Sequence, residues 1–339
     1  MIRYIPNAKP FRLAAMNCHY IKFPLSYFLD RAEAYGFRCI ELFGAMPHFF
    51  MDDVDEELVK RVKDECRRRS LEIVSLCPAQ GAYPMNIAID EAQIRKRTVT
   101  LLKKALCIAG KLGCDTMLVS PGFGYHNQKK EISWAHSRES LKELAKTAED
   151  SGVVIVVEPL TPTTANLVNT SIDAARMVAE VGSEYVKSMM DIGVMNYMGE
   201  TVDDYFRNLG DDLRYIHFTD GPGAHVALGD GTFPMVQYLA DIERNGYKGV
   251  LSFEINDKRY LLNPDEAMEK NIRWLKEHGL PSIFLETNTG FSGAVNVGIK
   301  AADTPYVILL NNDTEPEPDY VGELVRAIGR SERIFSVSP

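Results

Sequence analysis

From about residue 11 to 278, short apolar runs alternate with amphipathic stretches of about 10 to 20 residues, the pattern that arises when parallel strands are joined by crossover helices. The predicted strands are RLAAMN (12–17), RCIELF (38–43), EIVSL (72–76), DTMLVS (115–120), VVIVVE (153–158), KSMMDI (187–192), LRYIHF (213–218) and VLSFEI (250–255). Each is followed by a predicted helix, with starts near Pro24, Val54, Asp90, Glu131, Ser171, Val202, Pro234 and Pro264. Asp90, Ser171 and Thr201 stand at expected N-caps, where a side-chain oxygen can take up a free N–H of the first turn. Eight strand–helix pairs in about 270 residues predict an α/β fold, a closed (β/α)₈ TIM barrel, in preference to an open dinucleotide-binding sheet. No GxGxxG follows the first strand, which weakens that alternative further.

The pattern changes at about residue 281. Residues 1–280 are expected to form the barrel and 281–339 a short C-terminal α/β extension, read as strand, helix, strand, loop, helix. A chain of 339 residues has room for about two domains, and with 45% hydrophobic residues it can bury a full core. The 47 acidic side chains outnumber the 38 basic ones, leaving a formal charge of −9, the wrong sign for a protein held to a phosphate backbone. Nucleic acid is therefore not an expected partner. No run reaches the roughly 18 apolar residues of a membrane span, and the N-terminal stretch lacks the apolar core of a secretory signal. No membrane partner is expected, and a cytoplasmic location is. The six cysteines are scattered without a CxxC and read as reduced thiols, mostly of the core.

In such a barrel the catalytic side chains lie at the C-terminal ends of the strands, where eight loops converge. The last four strands end in metal-ligand types: Glu158, Asp191, His217 and Glu254. A single acidic residue at a strand end has the alternative of capping a helix, and a single strand histidine that of a hydrogen-bonded core residue. Four of them on consecutive strands, each after an apolar run, are harder to reconcile with that alternative, because buried uncompensated charge costs several kcal/mol. Three carboxylates and an imidazole form a mixed oxygen/nitrogen set suited to one divalent ion such as Mn²⁺, Co²⁺ or Mg²⁺.

The segments VVEPLTP, SMMDIG, IHFTDG and LSFEI carrying these residues, with FGAMPHFF after strand two and GAYPMNI after strand three, resemble the xylose-isomerase-like (AP endonuclease family 2) sugar epimerases. Within that superfamily the chain is most similar to the fructoselysine 3-epimerases and more distantly to the D-tagatose/D-psicose 3-epimerases. The resemblance covers about residues 11–278. It implies that Glu158, Asp191, His217 and Glu254 hold one divalent metal and that Glu158 and Glu254 are the acid/base pair. The implied reaction removes the C3 proton of a ketose beside its C2 carbonyl and returns one on the opposite face, with a metal chelated by O2 and O3 stabilising the enediolate. It also implies a small-molecule sugar substrate and a homo-oligomer.

The free-ketohexose enzymes carry a sugar-contacting histidine and arginine where this chain has Val194 and Gly223. That departure moves the expected substrate toward a modified ketose of the fructosamine type. His225, in the glycine-rich loop after Asp220, is a candidate replacement, with a solvated loop histidine as the alternative. Glu41 and His48 fall in the mouth by position and are expected to bind substrate hydroxyls, unless they serve as loop or cap contacts. His19 shares that expectation less strongly, and Tyr83, Asn86 and Phe123 to Tyr125 are candidates for the pocket wall. A ketose/aldose isomerase and an inosose-type dehydratase would use much the same metal site. The three-zinc endonuclease IV type is disfavoured, because strand ends three and four carry Cys77-Pro78 and Ser120-Pro121 rather than histidines. The tail segment ETNTGFSGAVNVGIKAA…YVILLNND is similar to the middle of a family-2 glycosyltransferase, in which the residue matching Asp313 helps hold metal and sugar nucleotide. The rest of that domain is missing, so a truncated fragment without transfer activity is expected, with a transferase or binding module as the alternative.

Overall fold

The computed structural model describes residues 11–80, 85–278, 307 and 320–328. Eight strands, β1 (Arg12–Met16), β2 (Cys39–Gly44), β3 (Glu72–Pro78), β4 (Thr116–Val119), β5 (Val154–Val157), β6 (Val186–Asp191), β7 (Leu213–His217) and β8 (Val250–Phe253), pair in parallel and in chain order. β8 closes on β1, with Arg12 opposite Val250 and Ala15 opposite Phe253. The outer ring is α1 (Leu25–Ala34), α2 (Glu56–Arg68), α3 (Ala92–Leu112), α4 (Lys130–Ser151), α5 (Ser171–Val181), α6 (Ile192–Tyr197), α7 (Val202–Leu209), α8 (Met235–Arg244) and α9 (Pro264–His278). This is the TIM barrel that the alternation of runs predicts.

Strand residues divide by a period of two. Leu13, Ile40, Ile73, Met117, Ile155, Met190, Ile216 and Leu251 pack in the large cluster that includes the helices. Ala14, Met16, Cys39, Val74, Leu118, Val156, Met189, Tyr215 and Val250 form a second, smaller cluster inside the barrel. Apart from exposed Arg12, Glu72 and Arg214 near the starts of β1, β3 and β7, both faces of the strands are thereby largely removed from water, which is why they read as nearly unbroken apolar runs. The pairing skips one residue on β3, between Ile73 and Ser75 opposite Ile40 and Glu41, and one on β7, between Leu213 and Tyr215 opposite Ser188 and Met189. Such irregularities re-aim the residues that follow them.

Helix starts fall within two residues of the expected positions, but two of the three expected caps move. Thr201 caps α7 in a full capping box with Asp204. Thr170, not Ser171, caps α5 by accepting from the Asp173 N–H at 3.1 Å, while the Ser171 hydroxyl donates to Glu200. Asp90 is no cap either: α3 begins after Glu91, whose side chain makes no capping bond. α3 and α4 each end on a glycine, Gly113 and Gly152, with φ of 86° and 67°, where a Cβ would be strained. Five cysteines are buried and Cys107 is exposed; all six are free. No helix among the described residues is long and apolar enough to cross a membrane.

The chain divides into two compact units, Met1–Leu280 and Pro281–Pro339. Of the second, the described secondary structure is one helix, α10 (Tyr320–Ile328). The other elements expected in the tail, and Asp313, lie outside the described residues.

Candidate metal centre

The period of two that sends Val156, Met189 and Tyr215 into the barrel also sends the residue two further on inward, one layer nearer the C-terminal mouth. Those residues are Glu158, Asp191 and His217. Val250, Ser252 and Glu254 follow the same count on β8. Asp191 and His217 end their strands and face each other in register, and Glu158 and Glu254 are the first residues past β5 and β8. One ligand atom from each of the four lies within 4.8 Å of all the others. The Asp191 and His217 side chains are buried, whereas Glu158 and Glu254 keep 16% and 19% of their surface, so of these four only the two glutamates stay partly exposed at the mouth.

His217 lies at the middle of the cluster. Its Nδ1 is 3.2 Å from Glu254 Oε2 and 3.6 Å from both Glu158 Oε1 and Asp191 Oδ2. Its Nε2 points the other way, 3.2 Å from Glu41 Oε2. A proton on Nε2 satisfies Glu41 and leaves the Nδ1 lone pair aimed at the three carboxylates, the arrangement in which a carboxylate orients a metal-binding imidazole. Asp191 divides its oxygens in a similar way. Oδ1 accepts from the Val194 N–H at 2.8 Å and so caps α6, while Oδ2 has no hydrogen-bond partner. Buried, unpartnered Asp191 Oδ2 and His217 Nδ1 meet at one point, and buried polar atoms are seldom left so. A divalent cation there would satisfy both. Oxygen and imidazole donors without thiolate suit such an ion.

Charge leads to the same conclusion. Glu41, Glu158, Asp191 and Glu254 outnumber the imidazoles of His217 and His225 in one buried region, so even two imidazolium ions leave negative charge uncompensated. Burial raises Glu158 to about 7 despite its contact with His217. Burial acts on Glu254 in the same direction, but the imidazoles of His217 and His225 outweigh it and hold that carboxyl below its usual range. Both imidazoles are pushed well above an ordinary histidine, because the surrounding carboxylates overcome the burial that would lower them.

The model of the xylose isomerase-like TIM barrel family matches residues 29–278. The chain belongs to that family. Among its relatives, fructoselysine 3-epimerase of Escherichia coli O157:H7 is 29% identical over 242 residues, which is 70% of this chain and 88% of that protein. D-psicose 3-epimerase of Enterocloster bolteae is 31% identical over 238 residues, covering 67% of this chain and 75% of the relative. A crystal structure of D-psicose 3-epimerase with D-tagatose from Clostridium cellulolyticum H10 shares the fold, with a TM-score of 0.66 at 17% identity over 79% of this chain and 99% of that one. Relatives named for epimerisation support an isomerase-class enzyme. A second model, glycosyl transferase family 2, matches residues 265–338, a span that begins within α9.

For a member of this family, the remaining candidates divide sharply. The sequence predicts Glu41 at the substrate hydroxyls. Its carboxylate is instead fully buried beneath the cluster and is taken up by His217 and by the Tyr215 hydroxyl, which donates at 3.2 Å. His48 is likewise spent on the fold: Nε2 donates to the Phe23 carbonyl at 2.7 Å and Nδ1 accepts from Asn17 at 2.9 Å, tying the first two loops together. Neither ring nitrogen is left for a sugar. His225 is not a solvated loop histidine, since its ring lies against Asp191 and Glu254. Asn86 commits its side chain to the Ala88 and Phe123 backbones. Phe123 and Tyr125 are among the exposed large hydrophobics, and Tyr83 lies outside the described residues. Glu41 had a readable signal, because it stands two residues after inward-facing Cys39 and therefore points into the barrel.

Proposed function

We propose that the protein is a metal-dependent sugar epimerase acting at C3 of a ketose or ketosamine of the fructoselysine type. The observation that carries this reading is the convergence of Glu158, Asp191, His217 and Glu254 within 4.8 Å, of which only the two glutamates stay partly exposed at the mouth. Glu158, Asp191, His217 and Glu254 would hold one divalent ion, for which Mn²⁺, Co²⁺ and Mg²⁺ fit the donor set. When bound, that ion supplies positive charge against the negative charge that spreads over the sugar oxygens as the C3 proton leaves.

The chain supplies the rest. Glu158 and Glu254 reach the cleft from strands three places apart, so a flattened sugar lying between them presents opposite faces to the two carboxylates. One takes the C3 proton and the other returns one from the opposite side, each contributing roughly 10²–10⁴-fold. Burial of the Glu158 carboxyl favours its protonated form, the direction that helps a group that must both take and return a proton. Asp191 and His217 are buried and stay with the cation. Val194 and Gly223 leave no polar clamp at the two positions that contact the sugar in the free-ketohexose enzymes, which favours a larger, modified ketose. We further propose that residues 281–339 are an appended glycosyltransferase-like fragment with no part in this reaction.

Incubation of the Mn²⁺-loaded protein with fructoselysine, D-psicose and D-fructose in D₂O tests the reading. Deuterium at C3 together with the C3 epimer is expected. Deuterium at C1 or C2 would make it an aldose/ketose isomerase, and loss of water a dehydratase.

A further inference from the structure

The loop after β7 is folded more tightly than a glycine-rich segment needs to be. Asp220 is its hub: Oδ1 accepts from the Gly221 and Phe233 N–H groups at 2.8 and 3.0 Å, and Oδ2 from the Gly229 N–H at 3.0 Å. Asp220 also exchanges backbone bonds with Val226, which pins the ends of the intervening turn together. A Cβ on Gly231 would collide with the Asp220 carboxylate and the Gly221 carbonyl, so the packing admits no side chain there.

This hub presents His225. The residue is fastened through its backbone to the segment after β8: its N–H donates to Asn256 Oδ1 at 2.9 Å, and its carbonyl accepts from the N–H groups of Asn256 and Asp257 at 3.1 Å. Its ring Nδ1 lies 3.0 Å from Glu254 Oε2 and 3.1 Å from the Glu254 carbonyl. On the other side Nε2 is 3.5 Å from Asp191 Oδ2. The ring also rests on the start of α6, where a Cβ at Gly193 would stand 3.0 Å from Nε2 and 3.1 Å from Asp191 Oδ1. His225 thus spans from β6 to β8 across β7 and touches one ligand candidate from each.

We propose that His225 is a positioning residue, a clasp that holds the Glu254 carboxylate through Nδ1 and packs its Nε2 edge against Asp191, keeping the two carboxylates at the spacing a divalent cation requires. The proposal rests on the reading of these residues as metal ligands. It replaces a substrate-contact role for His225, because both ring nitrogens already face protein carboxylates. A clasp acts by removing freedom. Among the described residues the one hydrogen bond to the Asp191 carboxylate is its cap on α6, and Glu254 follows the last residue of a four-residue strand. Outer groups that orient ligands in this way typically change metal affinity about 10–100-fold.

The test uses the full-length protein stripped of metal, as wild type, His225→Ala and His225→Asn. Mn²⁺ affinity is read by titration calorimetry, and kcat and KM on the sugar are measured at saturating Mn²⁺. Expected is an affinity weakened about 10–100-fold in His225→Ala, with kcat reduced and KM little changed. His225→Asn keeps the bonding of the backbone to Asn256 and one side-chain donor toward Glu254, so it should fall between, and it carries the readouts if the alanine variant does not fold. Unchanged Mn²⁺ affinity with a raised KM overturns the clasp and makes His225 a sugar contact, and no change in any readout also overturns it. A wild-type protein that binds no Mn²⁺ overturns the metal-centre reading itself and the clasp with it.

Discussion

Glu41 and His217 meet wholly inside the barrel, Oε2 to Nε2 at 3.2 Å, and the far side of the same imidazole faces Glu158, Asp191 and Glu254. One ring therefore joins the barrel interior to the candidate metal centre. Glu41→Gln keeps the shape and one acceptor oxygen but removes the charge. It should weaken Mn²⁺ binding roughly 10-fold or more while leaving KM for the sugar unaltered. A raised KM with intact metal affinity would return Glu41 to the role of a hydroxyl ligand.

Glu158→Gln and Glu254→Gln should each lower turnover by roughly 10²–10⁴-fold. If each carboxylate serves one face, the residual exchange of solvent deuterium should be confined to one C3 epimer in the first variant and to the other epimer in the second. NMR on both epimers in D₂O reads this directly. Equal residual exchange from both epimers in both variants would point to a single base.

Gly193 lies within α6, where alanine ordinarily stabilises by about 0.5–1 kcal/mol. Here the added methyl meets His225 Nε2 at 3.0 Å and Asp191 Oδ1 at 3.1 Å. Overpacking of that kind costs about 1–3 kcal/mol, so Gly193→Ala should destabilise on balance and weaken Mn²⁺ binding. A thermal melt with a raised midpoint would mean that the ring has room to move.

His19 is buried with neither ring nitrogen hydrogen-bonded, and burial lowers it to about 3. It thus folds as a neutral ring, while the unfolded chain takes up its proton near the ordinary histidine value of about 6.5. Below that pH the unfolded state binds the extra proton, so stability falls as pH drops, by up to about 1.4 kcal/mol per pH unit until the folded value is reached. His19→Phe removes this contribution. Urea unfolding at pH 7 and pH 5 should show a smaller loss on acidification in the variant than in the wild type; equal losses would mean the ring is protonated or solvated in the folded protein.

Much of the centre was legible before the fold was known. Glu158, Asp191, His217 and Glu254 each follow an apolar run at the end of a predicted strand, and the barrel topology brings consecutive strand ends together. The inward direction of Glu41 is legible from Cys39, but the partners of Glu41, His48 and His225 are not, because each lies across the barrel or on a neighbouring loop. Glu41 belongs to His217, which is 176 residues away in sequence, and His48 to Asn17 and Phe23 in the preceding loop. The helix Ile192–Tyr197 is also not legible in the sequence, since it follows β6 directly and its cap, Asp191, is at the same time the last residue of that strand.

By itself the sequence determined the number and order of the strands and placed eight of the nine described barrel helices, because hydrophobic periodicity is a local property that burial on one or both faces writes into every segment. It also determined which side chains face inward at the strand ends, since alternation along a strand needs no knowledge of its neighbours. Only the tertiary structure decided which oxygen of Asp191 is left without a partner, which nitrogen of His217 faces the carboxylates, and that His225 reaches across a strand to two of them. Those outcomes are set by ångström-scale distances between residues far apart in the chain, and hydrogen bonding and buried charge depend on such distances far more steeply than on residue type.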